Sequence, residues 1–236
     1  FNKTMKPFRA KTEDFLRILS WYVDYGIFKI LSLCKTKKVP EKIDRILIVE
    51  LKYIGDIIVL TPTIRALKEK FSSAKIDIII SEVMRDLLYN NPNINKIIEI
   101  NPLDYDSDEI SKRLLKEKYD LGILFHPGSY KISKILRNAK VKYRLGCTRQ
   151  GLTEGKGFFL DNKTQPTFKW KHKIEDNLDV IKNLSINAQH EEMELFVDPA
   201  LKSKIKSGLK SSNKVVLIHP IPQHKSHEWI PERFSK

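Results

Sequence analysis

From Arg45 onward the chain alternates between two patterns. Short apolar runs, namely ILIVEL, KIDIIIS, NKIIEI, DLGILFH and VKYRLG, are separated by stretches with apolar positions three and four apart. Runs this short and this rich in Ile, Leu and Val predict strands buried on both faces of a sheet. The stretches between them predict helices at Thr61–Phe71, Glu82–Tyr89, Ser107–Lys118 and Lys131–Arg137, with one more at His172–Leu184. Strands alternating with helices imply an α/β fold with a parallel sheet and right-handed crossovers. That is a Rossmann-like domain.

A loop-rich stretch, GCTRQGLTEGKGFFLDNKTQPTFKW, comes before the last of these helices. Around ELFVDPALKSKIKSGLKSSNKVVLIHP the alternation restarts, predicting a short strand, a helix and the strand Val215–His219. The expected organisation is a basic extension over 1–43, a Rossmann-like lobe over 44–190 and the beginning of a second α/β lobe over 191–236. Nothing repeats at a fixed short period, which excludes a solenoid. The chain begins at Phe1 and stops at Lys236 in mid-pattern, so both ends read as trimmed.

Charge alters the picture at the N-terminus. Residues 1–43 carry ten Lys and Arg against four Asp and Glu. Within them, TEDFLRILSWYVDYGIFKILSLC has Thr12 as its helix cap and acids in its first turn. Arg17, Asp24 and Lys29 interrupt this helix, which therefore lacks the ~18 uncharged residues of a membrane span. A basic, aromatic-rich helix over 12–34 fits either a membrane interface or packing against the protein, and periodicity does not separate the two.

The whole chain carries a net charge of +14, which favours anionic partners. Nucleic acid is one such class, but no RRM, KH or helix-turn-helix signature is present, and none is expected to bind. Cys34 and Cys147 make no disulfide framework and no CxxC pair, which fits a reducing compartment.

Chemistry concentrates where the first strand gives way to the first helix, at Gly55–Asp56. In a doubly wound sheet ligands gather beyond the carboxyl ends of the strands. Neither GxGxxG nor GxxxxGK[ST] occurs, so dinucleotide and P-loop readings lose their support. A ribose-gripping acid would follow a second strand rather than the first. LKYIGD itself offers no second carboxylate or His for a metal. A helix cap and a general base remain, and one acid can serve as both.

These residues resemble glycosyltransferase family 9, the lipopolysaccharide heptosyltransferases. ILIVELKYIGDIIVLTPTIRALKEKFSSAKIDIII is similar to the family's opening strand, Gly-Asp, Thr-Pro and following helix. VKYRLGCTRQG is similar to its Arg-Ile-Gly-Phe segment, and VVLIHPIPQHKSHEWIPERF to its His-Pro-Gly and Lys-Arg-Trp-Pro segments. The resemblance implies a GT-B architecture, in which two Rossmann-like lobes bind acceptor and nucleotide-sugar donor. It implies inverting transfer without metal or cofactor, from a donor such as ADP-heptose to an anionic glycolipid such as the lipopolysaccharide inner core. Asp56 would be the base that deprotonates the acceptor hydroxyl, and Gly55 would give the turn its freedom beside the substrate. The setting implied is the cytoplasmic face of the inner membrane.

The donor phosphates would meet His219, Lys225 and His227. The family's Gly after His-Pro is Ile221 here, and aligned on Trp229 its phosphate-binding Lys falls on His227, with Lys225 two residues earlier. Lys is a fixed charge and His a charge only when protonated, so these departures bear on donor affinity or identity. They also leave room for a member that binds without turning over. A chain with only the start of the second lobe is expected to be inactive alone. His224 and His227 form an HxxH that lacks the partners of a zinc site.

Gly128, Ser129 and Lys131 follow the fourth predicted strand at the ligand-facing end. They read either as acceptor contacts or as a turn before a solvated basic helix. Lys131, Lys134 and Arg137 are candidates to pair with an anionic acceptor.

Overall fold

The computed structural model describes residues 37–125, 130–146, 159–163, 171–209, 215–216 and 233. They fall into two compact units that divide between Phe196 and Val197.

The first unit is built on one parallel sheet. Its strands are β1 (Arg45–Val49), β2 (Lys75–Ser81), β3 (Lys96–Ile100), β4 (Leu121–Leu124), β5 (Tyr143–Gly146) and the two-residue β6 (Asn162–Lys163). Their order across the sheet is β3-β2-β1-β4-β5-β6, with every neighbouring pair parallel. The chain runs outward from β1 to β3, then crosses back over the sheet to β4. The switch point therefore lies between β1 and β4, where a crevice opens beyond the strand ends.

Seven helices accompany the described strands: α1 (Ile54–Ile58), α2 (Thr61–Lys70), α3 (Arg85–Leu88), α4 (Ser107–Leu115), α5 (Tyr130–Asn138), α6 (Lys173–Lys182) and α7 (Pro199–Gly208). Alternate residues of β1 feed the two faces of the sheet. Ile46 and Ile48 join a core with Ile57, Leu60, Ile64 and Leu67 of α1 and α2 and with Ile174 and Leu178 of α6. Leu47 and Val49 join the opposite core with Ile110 and Leu114 of α4 and Ile135 and Leu136 of α5. Each fully buried Leu or Ile contributes about 1.5–3 kcal/mol. The two cores thus clamp the sheet at the strand whose end carries the Gly-Asp turn.

Three local expectations are corrected. The apolar run ILIVEL stops being strand at Val49, and a separate short helix, α1, intervenes before the predicted Thr61 helix. The stretch Glu194–Val197, expected as a strand, carries no strand. Instead, the backbone N–H of Glu194 donates to the Thr61 hydroxyl at 2.9 Å, and Arg65 holds the carbonyls of His190 and Glu192 at 3.2 Å each. Side-chain donors and acceptors on α2 take the place of a neighbouring strand. The third correction is β6, which lies inside a stretch expected to be loop.

In the second unit, α7 starts from Asp198, whose carboxylate accepts the Ala200 N–H at 2.7 Å. Leu201, Ile205 and Leu209 lie four residues apart and are about half exposed. Val215 and Val216 are not in a strand, and Leu217–His219 lie outside the described residues. So does the stretch 12–34, expected as a helix.

Candidate active site

The site is assembled by the segment that leaves β1. The Glu50 N–H donates to Ile79 on β2 at 3.0 Å, which keeps the chain on the sheet one residue past the strand. The Glu50 carboxylate accepts the Lys52 N–H at 3.1 Å and tightens the turn that follows. At Tyr53 the backbone is extended, and α1 begins at Ile54. A Cβ added to Gly55 would meet nothing within 4 Å, so space beside it is open.

Asp56 does not stand at the helix cap, which is Tyr53. It lies in the first turn, where its carboxylate accepts a hydrogen bond from the Tyr53 backbone, the inward half of a capping box. Burial pushes the Asp56 carboxyl above the usual carboxylate range, and the nearby Glu50 carboxylate pushes it the same way. Lys173, Lys52 and the Tyr53 hydrogen bond pull it down without cancelling the rise. A half-buried acid held in this way, at the carboxyl end of the central strand, is suited to accept a proton.

LKYIGD itself holds no second carboxylate, but Glu50, the residue just before it, acts on Asp56. Glu50 is only 1% exposed. Among the described residues no group of three or more His, Cys, Asp and Glu side chains is placed to hold a metal ion.

The helical ribbon that carries Asp56 breaks between α1 and α2, and the break is sealed. Pro62 has no N–H to give the Ile58 carbonyl, and the Thr61 hydroxyl donates to it instead at 2.8 Å. Asn177 of α6 donates to the Val59 carbonyl at 3.3 Å. This bond ties α6 to the ribbon and brings Lys173, one helical turn earlier in α6, into the field of Asp56.

The other expected site residues are distributed differently. Lys131 is exposed in the first turn of α5. Arg137 is in the last turn of that helix, its guanidinium 4.8 Å from the centre of the Phe159 ring, and no described contact brings it to Asp56. Gly128, Ser129, His219, Lys225 and His227 lie outside the described residues, as does Ile221. Sequence reasoning missed Glu50 and Lys173. Their signals were an acid inside an otherwise apolar strand run, and a cation in the first turn of a helix, where the helix dipole disfavours it.

Residues 108–236 match glycosyltransferase family 9 (heptosyltransferase). The chain belongs to glycosyltransferase family 9. The matched stretch starts in the first turn of α4, so the Gly55–Asp56 turn precedes it. A comparison with curated proteins finds no relative.

Solved structures carry the fold likeness across more of the chain. The family 9 glycosyltransferase from Veillonella parvula DSM 2008 superposes with a TM-score of 0.71 at 18% identity, over 84% of this chain and 60% of that one. E. coli ADP-heptose lipopolysaccharide heptosyltransferase II gives 0.58 at 19% identity, over 71% of this chain and 51% of that one. E. coli heptosyltransferase WaaC with ADP gives 0.54 at 17% identity, over 64% of this chain and 50% of that one. The chain thus spans between half and three-fifths of these proteins. Its α/β parallel sheet matches these GT-B heptosyltransferases in fold.

Proposed function

We propose that this family 9 protein moves a heptose-like sugar from a nucleotide-sugar donor to a hydroxyl of an anionic glycolipid. The observation that carries this reading is the placement of Asp56, a half-buried carboxyl with a raised pKa, just beyond the end of β1 at the switch point of the sheet. Asp56 takes the proton of the acceptor hydroxyl as the oxygen attacks the anomeric carbon. The bond to the nucleoside diphosphate breaks on the opposite side, and the anomeric configuration inverts. No metal enters this proposal: the leaving phosphates are neutralised by the donor loop, for which Lys225, His227 and His219 are the candidates.

ADP-heptose is the proposed donor class, supported by relatives whose structures contain ADP or an ADP-heptose analogue. Lys131, with Gly128 and Ser129, is proposed to meet the acceptor beyond β4. The lobe boundaries proposed remain those of the sequence, with the acceptor lobe over 44–190. We place the protein at the cytoplasmic face of the inner membrane, held there by the basic segment 12–34. Among the described residues no helix is long and apolar enough to cross a membrane.

The test is transfer itself. Full-length protein, given ADP-heptose and deacylated lipopolysaccharide inner core, is expected to release ADP and extend the acceptor. Donor binding without release would instead support a member that binds and does not catalyse.

A further inference from the structure

Tyr53 departs from what its local structure asks for. The residue just before a helix is ordinarily Ser, Thr, Asp or Asn, whose side chain accepts a backbone N–H of the first turn. Tyr53 stands in that position ahead of α1 and makes no such bond. Its ring is 62% exposed, and its side chain has no hydrogen-bond, ion or ring partner among the described residues. By contrast Tyr119 and Tyr143 are buried, and the ring of Tyr89 carries the Arg85 guanidinium at 5.1 Å. Neither capping nor packing accounts for an aromatic ring at position 53.

Backbone geometry ties this ring to Asp56. The Tyr53 carbonyl accepts the Asp56 N–H at 3.0 Å and the Ile57 N–H at 3.3 Å, which fixes position 53 against the turn. Residues three apart at a helix start lie on one face, so Tyr53 and Asp56 share a side of the ribbon. Ile57 is fully buried in the core instead. Space beside Gly55, between them in the chain, is open. Ile54 is exposed as well, and so is Val83, just past the end of the neighbouring strand β2. The carboxyl end of the sheet thus offers apolar surface and room on the same turn as the acid.

We propose that the Tyr53 ring is a stacking platform for the sugar ring of the acceptor, extended by Ile54, and that it presents an acceptor hydroxyl to Asp56. The proposal rests on the reading of Asp56 as the base and adds the surface that holds its substrate. One face of a pyranose is lined with C–H bonds, apolar and slightly positive at hydrogen. The face of an aromatic ring is apolar and carries the negative part of its quadrupole, so the two attract. The sugar is the acceptor's because the hydroxyl that Asp56 deprotonates is the acceptor's.

The test separates contact with sugar from any part the ring plays in folding. Full-length protein is titrated calorimetrically with deacylated lipopolysaccharide inner core and, separately, with ADP. Tyr53→Ser is expected to bind the saccharide about three- to tenfold more weakly, as for a lost ring contact, with ADP affinity unchanged. Serine is the better cap, so the melting temperature is expected to hold or rise, the opposite of what a structural role for the ring would give. Tyr53→Phe keeps the ring face and is expected to bind as wild type does. Tyr53→Leu keeps apolar bulk without the ring and is expected to weaken as serine does, which keeps the test open if serine disturbs the turn. Saccharide affinity unchanged in the Ser and Leu variants, or ADP affinity falling alongside it, overturns the proposal. So does a wild type that binds no saccharide.

Turnover then separates the platform from the base. With donor saturating, the Ser and Leu variants are expected to raise the acceptor KM and leave kcat nearly unchanged. If they do so and Asp56→Asn turns over normally, the platform stands and Asp56 is not the base. If Asp56→Asn loses turnover while the Ser and Leu variants bind saccharide normally, the base stands and the platform falls.

Discussion

The Thr61 hydroxyl donates to the carbonyl of Ile58 at 2.8 Å, supplying the hydrogen bond that the following proline cannot. The same oxygen accepts the N–H of Glu194. The Thr-Pro pair after the Gly-Asp turn is thereby explained: proline ends the short helix, and threonine repairs the break. Thr61 is 1% exposed, so Thr61→Val leaves two backbone groups without partners at a dry site. Urea denaturation is expected to show a loss of about 1–3 kcal/mol, with Thr61→Ser recovering most of it.

Arg65 shows a similar economy one turn later. Its guanidinium reaches the Glu194 carboxylate and the carbonyls of His190 and Glu192, pinning 190–194 along α2. Lysine cannot reproduce a planar fork, so Arg65→Lys is expected to fail almost as badly as Arg65→Met. Hydrogen exchange is the measurement: amides in 190–194 are expected to exchange faster in both variants, while those of β1 and β2 stay protected.

The end of α5 closes with two reverse bonds, Lys140 N–H to Arg137 and Val141 N–H to Leu136, at 2.9 and 3.2 Å. This is a Schellman cap, and its central residue is Lys140 with φ 52. Glycine is the residue that pays no steric penalty there. Lys140→Gly is expected to stabilise the protein by up to about 1 kcal/mol, read as a higher denaturation midpoint with an unchanged slope.

Asp120 ties the starts of three strands together. Burial pushes its carboxyl up, but the Lys142 ammonium at 2.7 Å and the N–H groups of Asp44 and Arg45 outweigh burial and hold it below the usual range. A carboxyl with a depressed folded-state pKa contributes stability that is present above its ordinary value near 3.8 and lost as pH falls through the lower folded value. Wild type is therefore expected to be more stable than Asp120→Asn at pH 7, with the gap narrowing below about pH 4. A gap that does not change between neutral and acidic pH would show that Asp120 is not held this way.

The sheet was legible because its strands are buried on both faces and so read as unbroken apolar runs. Five predicted strands are present; Lys75–Ser81 coincides with its predicted run, and the others differ by one or two residues at their ends. The failures have local causes. IGDII continues the apolar run after a turn, so α1 was hidden in a segment too short to show a helical period. The residues LFV after Glu194 look like a strand, but Glu194 and the residues before it are held by side-chain bonds from α2 rather than by a neighbouring strand. Helix ends were hard to read because Lys118, Lys140 and Ser185 occupy left-handed positions usually marked by glycine. At the site, position along the chain sufficed to find Asp56. Lys173 is more than a hundred residues away, and only the packing of α6 against the ribbon brings its charge near.

The most direct test of catalysis by Asp56 is the turnover of Asp56→Asn in the full-length protein, measured beside its melting temperature and its donor affinity. Asparagine keeps the size of the side chain and still accepts the Tyr53 hydrogen bond, but it takes no proton at neutral pH. A lost general base predicts a kcat lower by ~10²–10⁴-fold, with melting and donor binding close to wild type. Near-normal turnover with near-normal melting would contradict it, and would leave Asp56 as a first-turn helix acid and nothing more.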